Sequence, residues 1–319
     1  MTIDSYYQDK LGLLGDVFGA ADVRVVDGGL MVDESFLPVV DDVIVALDPV
    51  RLPPGVARKV TVRGSGGATS TPFDADVQYT FGEEWKAHPR MLPEYHSEFE
   101  QYFDLVDLSA LTECCIADLG CGMGRWSYFM SDLCRDIVLV DFSESIFVAR
   151  DLLRHADNAV FVMADILDLP FRDDAFDLVY CLGVLHHLPV NALDGVRAIR
   201  RLAPRQLAYL YYALDNRPPY FRWVLSGVTS VRRLLARARS PRARSALSWL
   251  ITLAMYAPLA VLGALTRPLG LGRFIPLVDA YAENRSRASA RRFTTASSPQ
   301  SSSASVGKRS LLCPMSSPR

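Results

Sequence analysis

The first 113 residues contain no cysteine, and the six in the chain, at 114, 115, 121, 134, 181 and 313, include no C-x-x-C pair. None of the five histidines sits at ligand spacing from them, so neither a zinc site nor a disulfide framework is indicated. Free thiols point to a reducing compartment. The start, MTIDSYYQDKLGLLGD, has acidic residues where a secretory leader needs a basic beginning and an apolar run, so the chain is expected to begin at or near Met1 and to be cytoplasmic. Net charge is low, −2, but this conceals an imbalance. Residues 222 to 319 hold sixteen Arg and Lys against two acids, leaving −16 on the first 221. Half the residues are apolar and 22% are charged, which suits one large globular domain with appendages.

Residues 1–75 read as a small acidic, β-rich segment in which the runs Val23 to Val26 and Val39 to Leu47 are separated by turn signals such as Asp27-Gly28-Gly29. Gly64 to Thr71 has the composition of a linker. After Pro93, Tyr95, Phe99, Tyr102 and Phe103 fall at helical spacings. Strands then alternate with helices. Strand CCIADLG leads to a helix from Arg125, and DIVLVD to a helix from Ser143. AVFVMAD leads to a short loop, FDLVYCLG to a helix over 191–202, and a fifth strand spans Gln206 to Leu214. This rhythm predicts an α/β fold with a doubly wound, mostly parallel, Rossmann-like sheet, its main domain covering 76–220.

The first of these strands ends in Asp118-Leu119-Gly120-Cys121-Gly122-Met123-Gly124-Arg125. Glycines suit a chain that turns sharply from strand to helix while its backbone approaches a ligand. A glycine-rich turn alone is weak evidence, because a plain tight turn can also carry one. Asp141, 21 residues after Gly120 and ending the next strand, strengthens it, because a carboxylate there can accept from both hydroxyls of a ribose. The pattern is G-x-G-x-G rather than the dinucleotide G-x-G-x-x-G, and Asp118 stands where a pyrophosphate would be repelled. A cationic adenosine derivative would instead be attracted.

The stretches IADLGCGMGRW, VLVDFSE and MADILDLPFRDDAFDLVYCLGVLHHLP resemble class I S-adenosylmethionine-dependent methyltransferases of the type 11-like group, over residues 80 to about 220. The resemblance implies S-adenosylmethionine as cofactor. It places Asp118, Gly120, Cys121, Gly122 and Gly124 at the methionyl part, Asp141 with Phe142 at the ribose, and Asp165 with Ile166 at the adenine. Cys181 would line the cleft at the end of the fourth strand. FGEEW at 81–85 puts Phe81 and Trp85 near the cofactor or acceptor pocket, together with His187. His186 is the candidate base, needed only if the acceptor must lose a proton. Asp177, which begins the fourth strand, is read as serving the fold. The N-terminal stretch GGLMVDESFLPVVDDVIVAL is similar to the zinc-ribbon-like module that precedes some bacterial methyltransferases, here without metal ligands. Asp215 to Tyr220 superficially matches an N-P-P-Y motif, but it comes after the wrong strand and Arg217 interrupts it.

Beyond the fifth strand, 221–285 reads as a basic and apolar helical insertion. Six Arg in 231–244 precede twenty uncharged residues, 246–265. Three readings compete: a lid over the acceptor pocket, a segment on an anionic membrane surface involving 231–265, and a membrane-spanning helix. The first two favour a small, apolar or lipid-like acceptor, with no nucleic acid partner expected. Residues 286–319, rich in Ser, Arg and Pro, are expected to be disordered where the family has its last strands. Two other functions stay open, a non-catalytic binding protein and a nicotinamide-dependent oxidoreductase.

Overall fold

The computed structural model describes residues 6–60, 71–87, 89–210 and 311–312. The chain divides into two units, Met1–Leu210 with Arg309–Arg319, and Tyr211–Lys308; all described residues lie in the first. The 221–285 insertion, the stretch 215–220 and most of the linker expected at 64–71 therefore lie outside the described residues.

Helix α1 (Leu11–Phe18) is followed by an antiparallel meander of β1 (Val23–Val26), β2 (Gly29–Val32), β3 (Ser35–Val40) and β4 (Val43–Val45). The run expected as one strand from Val39 to Leu47 is broken by Asp41-Asp42. Both have positive φ (48° and 61°), the backbone of a two-residue hairpin turn. The meander is joined to the α/β region rather than standing apart from it. β4 pairs in parallel with β7 (Ala159–Met163), so one sheet continues from the N-terminal strands into the parallel ones. Arg150 pairs with the buried Asp42, and the Tyr7 hydroxyl donates to the Asp42 carbonyl at 2.6 Å, tying the hairpin turn to the helix behind it.

A one-turn helix α2 (Pro54–Ala57), then α3 (Ala75–Ala87) and α4 (Glu94–Tyr102), lead to β5 (Cys115–Leu119). Then come α5 (Ser127–Met130), β6 (Asp136–Asp141), α6 (Ser145–Leu152), β7, β8 (Leu178–Leu182), α7 (Ala192–Ile199) and β9 (Arg205–Tyr209). The sheet order is β1-β2-β3-β4-β7-β6-β5-β8-β9-β10, where β10 is Leu311–Leu312, and the six strands from β4 to β9 are parallel. Order reverses at β5: the chain moves outward through β6 and β7, then returns to lay β8 on the other side. Such a switch point opens a crevice beyond the carboxyl ends of the strands.

Both faces of the sheet are covered, so its strands read as near-continuous apolar runs. Ala117, Leu119, Val138, Val140, Val160 and Val162 share one buried face, and Ile116, Ile137, Leu139, Phe161 and Tyr180 the other. Phe99 of α4 is 3% exposed and stacks near Phe103 and Phe129, ring centroids 4.7 and 5.4 Å away. Phe99→Ala should therefore cost about 3–5 kcal/mol, read as a shift of the denaturant midpoint at unchanged slope.

Several boundaries differ from the sequence expectation. α5 begins at Ser127 rather than Arg125, and α6 at Ser145 rather than Ser143. β9 ends at Tyr209; residues 211–214, expected to extend it, are outside the described part. In the tail expected to be disordered, Leu311–Leu312 forms a two-residue strand, β10, antiparallel to β9 opposite Ala208 and Leu207. An open strand edge offers unpaired backbone groups that such a short segment can satisfy.

Candidate functional site

Four adjoining strands, β7, β6, β5 and β8, end at the same side of the sheet, and their last residues bring the sequence-selected groups together. β5 leaves the sheet through the glycine turn, held by Gly120 and Cys121 N–H donating to the Val140 carbonyl at 2.7 and 3.0 Å. Gly120, Gly122 and Gly124 have φ of 76°, 56° and 77°. None of the three has room for a Cβ: one at Gly120 would lie 2.5 Å from Val184, one at Gly122 2.9 Å from the Trp85 indole nitrogen, and one at Gly124 2.9 Å from Leu153.

Asp141 closes this turn. Its Oδ2 accepts the Gly122 N–H at 2.9 Å, and its Oδ1 accepts the Ser143 N–H and hydroxyl at 2.8 and 2.7 Å. Asp118 lies in β5 just ahead of the turn. Its Oδ2 accepts the Ser127 hydroxyl at 2.6 Å, and Ser127 Oγ is 2.8 Å from the Tyr180 hydroxyl. Burial pushes the Asp118 carboxyl up to about 7, against the hydrogen bonds from Ser127 and Tyr180. Burial also raises Asp141, against hydrogen bonds from Ser143 and Gly122.

Asp165 lies two residues beyond β7. Its Oδ1 accepts the Leu167 N–H at 2.9 Å, while its Oδ2 faces Arg51 Nη1 at 3.1 Å, both side chains being largely buried. Burial raises its carboxyl, opposed by the Leu167 hydrogen bond and the Arg51 charge. Ile166 is buried beside it. Cys121 and Cys181 are buried, and burial holds both thiols well above their ordinary range, which leaves them uncharged and unsuited to nucleophilic attack. Asp177 accepts the Cys115 N–H at 2.8 Å, a link between the starts of β8 and β5.

α3 lies over these strand ends. Gln78 Nε2 donates to the Phe142 carbonyl at 2.6 Å, and the Phe73 ring, just ahead of α3, meets the Phe142 ring at 5.9 Å. Phe81 meets His187 edge-on at 5.0 Å, and Lys86 donates to Glu144 at 2.5 Å. His186 and His187 come after β8 in a tight turn, their rings 4.1 Å apart. Burial and the neighbouring His187 lower His186 to about 4, and burial lowers His187, so both imidazoles are neutral at pH 7.

The sequence reading missed Arg51, Gln78, Ser127, Ser143 and Tyr180. Ser143 could have been suspected from its place two residues after Asp141. Arg51 carries no local signal, being 114 residues from Asp165.

Three buried carboxylates at neighbouring strand ends form a site rich in acceptors and negative potential. That acceptor set fits a ligand with hydroxyls, an exocyclic amine and cationic groups, and opposes a pyrophosphate. Among the described residues no group of three or more His, Cys, Asp or Glu is placed to hold a metal ion, and no helix is long and apolar enough to cross a membrane.

A family model described as a methyltransferase domain matches residues 116–205. The chain is similar to 27-O-demethylrifamycin SV methyltransferase of Amycolatopsis mediterranei, 35% identical over 28% of this chain and 33% of that protein. It is also similar to demethylmenaquinone methyltransferase of Clavibacter sepedonicus, 43% identical over 20% and 26%. The tRNA U34 carboxymethyltransferase of Campylobacter hominis is 30% identical over 27% and 30%. The chain thus spans a third or less of the length of these relatives. With the strand order, the glycine turn and the acids at the ends of β5, β6 and β7, the match identifies residues 116–205 as a methyltransferase domain.

Proposed function

We propose that this chain transfers a methyl group from S-adenosylmethionine to a small, apolar acceptor, in the cytoplasm. The observation that carries the acceptor class is the aromatic cover on the strand ends: Phe73, Phe81 and Trp85 stand against Phe142, His187 and Gly122. Such a rim desolvates an apolar ligand with little entropy loss, because rings have few rotors. The relatives that act on rifamycin and menaquinone precursors, by name, are in keeping with it.

The cofactor supplies an electrophilic methyl on a sulfonium that is a good leaving group. The chain's residues then have three tasks. Asp118 and the Gly120–Gly124 turn hold the methionyl end, Asp141 with Phe142 the ribose, and Asp165 with Ile166 the adenine. Cys181, fully buried, backs the cleft from the core. α3 excludes water and fixes the acceptor in line, which supplies most of the rate. His186, neutral at pH 7, can accept a proton from the acceptor, although a group lowered to about 4 is a weak base that suits only an acidic one.

The exclusion of nucleic acid has no support from the relatives, several of which are named for tRNA, so an RNA acceptor is the second reading. Association with a membrane surface through 231–265 concerns residues outside the described part. Incubation with methyl-labelled S-adenosylmethionine and a fractionated cell extract separates these readings. Label in the solvent-extractable small-molecule fraction is the expected result. Label in RNA would overturn the acceptor class. No transfer, with S-adenosylhomocysteine still bound, would make the chain a non-catalytic binder.

A further inference from the structure

Arg125 leaves the glycine turn into a cage of three rings. Its guanidinium carbon is 4.4 Å from the centroid of Trp126, 5.4 Å from that of Trp85 on α3 and 5.4 Å from that of Tyr95 on α4. Arg51 and Arg150, by contrast, each pair with a carboxylate. Among the described residues Arg125 makes no ion pair within 4 Å and no hydrogen bond; its contacts are with the rings, and its charge reaches the Asp118 carboxyl only at longer range, which it lowers. It is half-buried, immediately after Gly124, and one of its cage walls, Trp85, also stands against Gly122.

Aromatic rings attract a guanidinium through their faces and leave its in-plane N–H groups unsatisfied. A guanidinium steadied in this way presents a fork of donors matched to a carboxylate. We propose that Arg125 is a cofactor-binding residue whose guanidinium anchors the α-carboxylate of the methionyl group. The proposal rests on the S-adenosylmethionine reading of the site and adds to it a residue for that carboxylate. Asp118 and Arg125 then divide the zwitterionic end between them, the acid toward the ammonium and the guanidinium toward the carboxylate. The cage makes this division possible: a free Arg125 could swing toward Asp118 and neutralise it.

The test compares S-adenosylhomocysteine with its decarboxylated form, which lacks only the α-carboxylate, by calorimetric titration of the full chain and of Arg125→Gln. The wild type should prefer S-adenosylhomocysteine by about 10- to 100-fold, the range expected of a charge-assisted paired contact. In Arg125→Gln the preference should fall to near parity while affinity for the decarboxylated compound holds within about threefold. Equal weakening of both compounds would make Arg125 a structural support of the cage and overturn the proposal. A wild type that does not distinguish the two overturns it as well, without any variant. Should Arg125→Gln not fold, Arg125→Lys keeps the charge and must retain part of the preference. If the wild type binds neither compound, the cofactor reading itself has failed, an outcome distinct from loss of preference.

Discussion

Asp118→Asn should weaken binding of S-adenosylhomocysteine by tenfold or more and, at pH 8, make the protein more stable than the wild type. Asp118 is 2% exposed, and burial lifts its carboxyl from 3.8 to about 7. Between those values the folded chain holds a proton that the unfolded chain has released. Stability from this group is therefore fully present below about pH 4 and is lost as pH rises toward 7. The loss amounts to roughly 4 kcal/mol, from about 1.4 kcal/mol per unit, as an order of magnitude. An asparagine never ionises, and its carbonyl oxygen can still accept the Ser127 hydroxyl. Thermal melts from pH 4 to 8 should thus fall more steeply for the wild type than for Asp118→Asn. Parallel curves would show that the ionised carboxylate carries no burial cost. The binding loss has the same origin, because the charge that destabilises the empty fold is the charge that attracts a cationic ligand. Wild-type affinity should accordingly improve from pH 6 to 8, and that of the variant should not.

Asp141→Ala should abolish measurable binding of S-adenosylhomocysteine, a loss of at least about 100-fold, and lower stability by about 2–6 kcal/mol. The side chain accepts from two backbone N–H groups, Gly122 and Ser143, and from the Ser143 hydroxyl. Removing it leaves both N–H groups buried without an acceptor, at roughly 1–3 kcal/mol each; the hydroxyl can still turn to Ser145, 2.7 Å away. The ribose acceptor and the clamp on the glycine turn would go together. Asp141→Asn is the informative companion, since its oxygen can serve Ser143 while its amide opposes the Gly122 N–H. It should recover most of the stability and little of the binding. Calorimetry and melting on the same samples separate the two effects, and an Asp141→Ala chain that binds normally would remove Asp141 from the site.

The outlines of the α/β region were legible because its signals are local. The apolar runs of β5, β6, β7 and β8, the turn at Gly120–Gly124 and the acids closing successive strands can be read from spacing alone. Boundaries were harder. Ser143 extends its hydroxyl to Asp141 instead of starting a helix, so α6 opens two residues later than its sequence suggests. The apolar run from Val39 to Leu47 hides a turn, because Asp-Asp is a weaker signal than the Asp-Gly ahead of β2.

From its residues alone, then, the chain determined which segments are strands, where the backbone must turn without a Cβ, and which carboxylates end neighbouring strands. Only the tertiary structure decided that the N-terminal meander extends the parallel sheet through β4, that Arg51 meets Asp165 and that α3 covers the strand ends. It also decided that Arg125 finds rings rather than an acid. The difference is physical. Strand and turn preferences arise from neighbours within a few residues, whereas the partner of a charge or of a strand edge is chosen by whatever the packed core brings within reach.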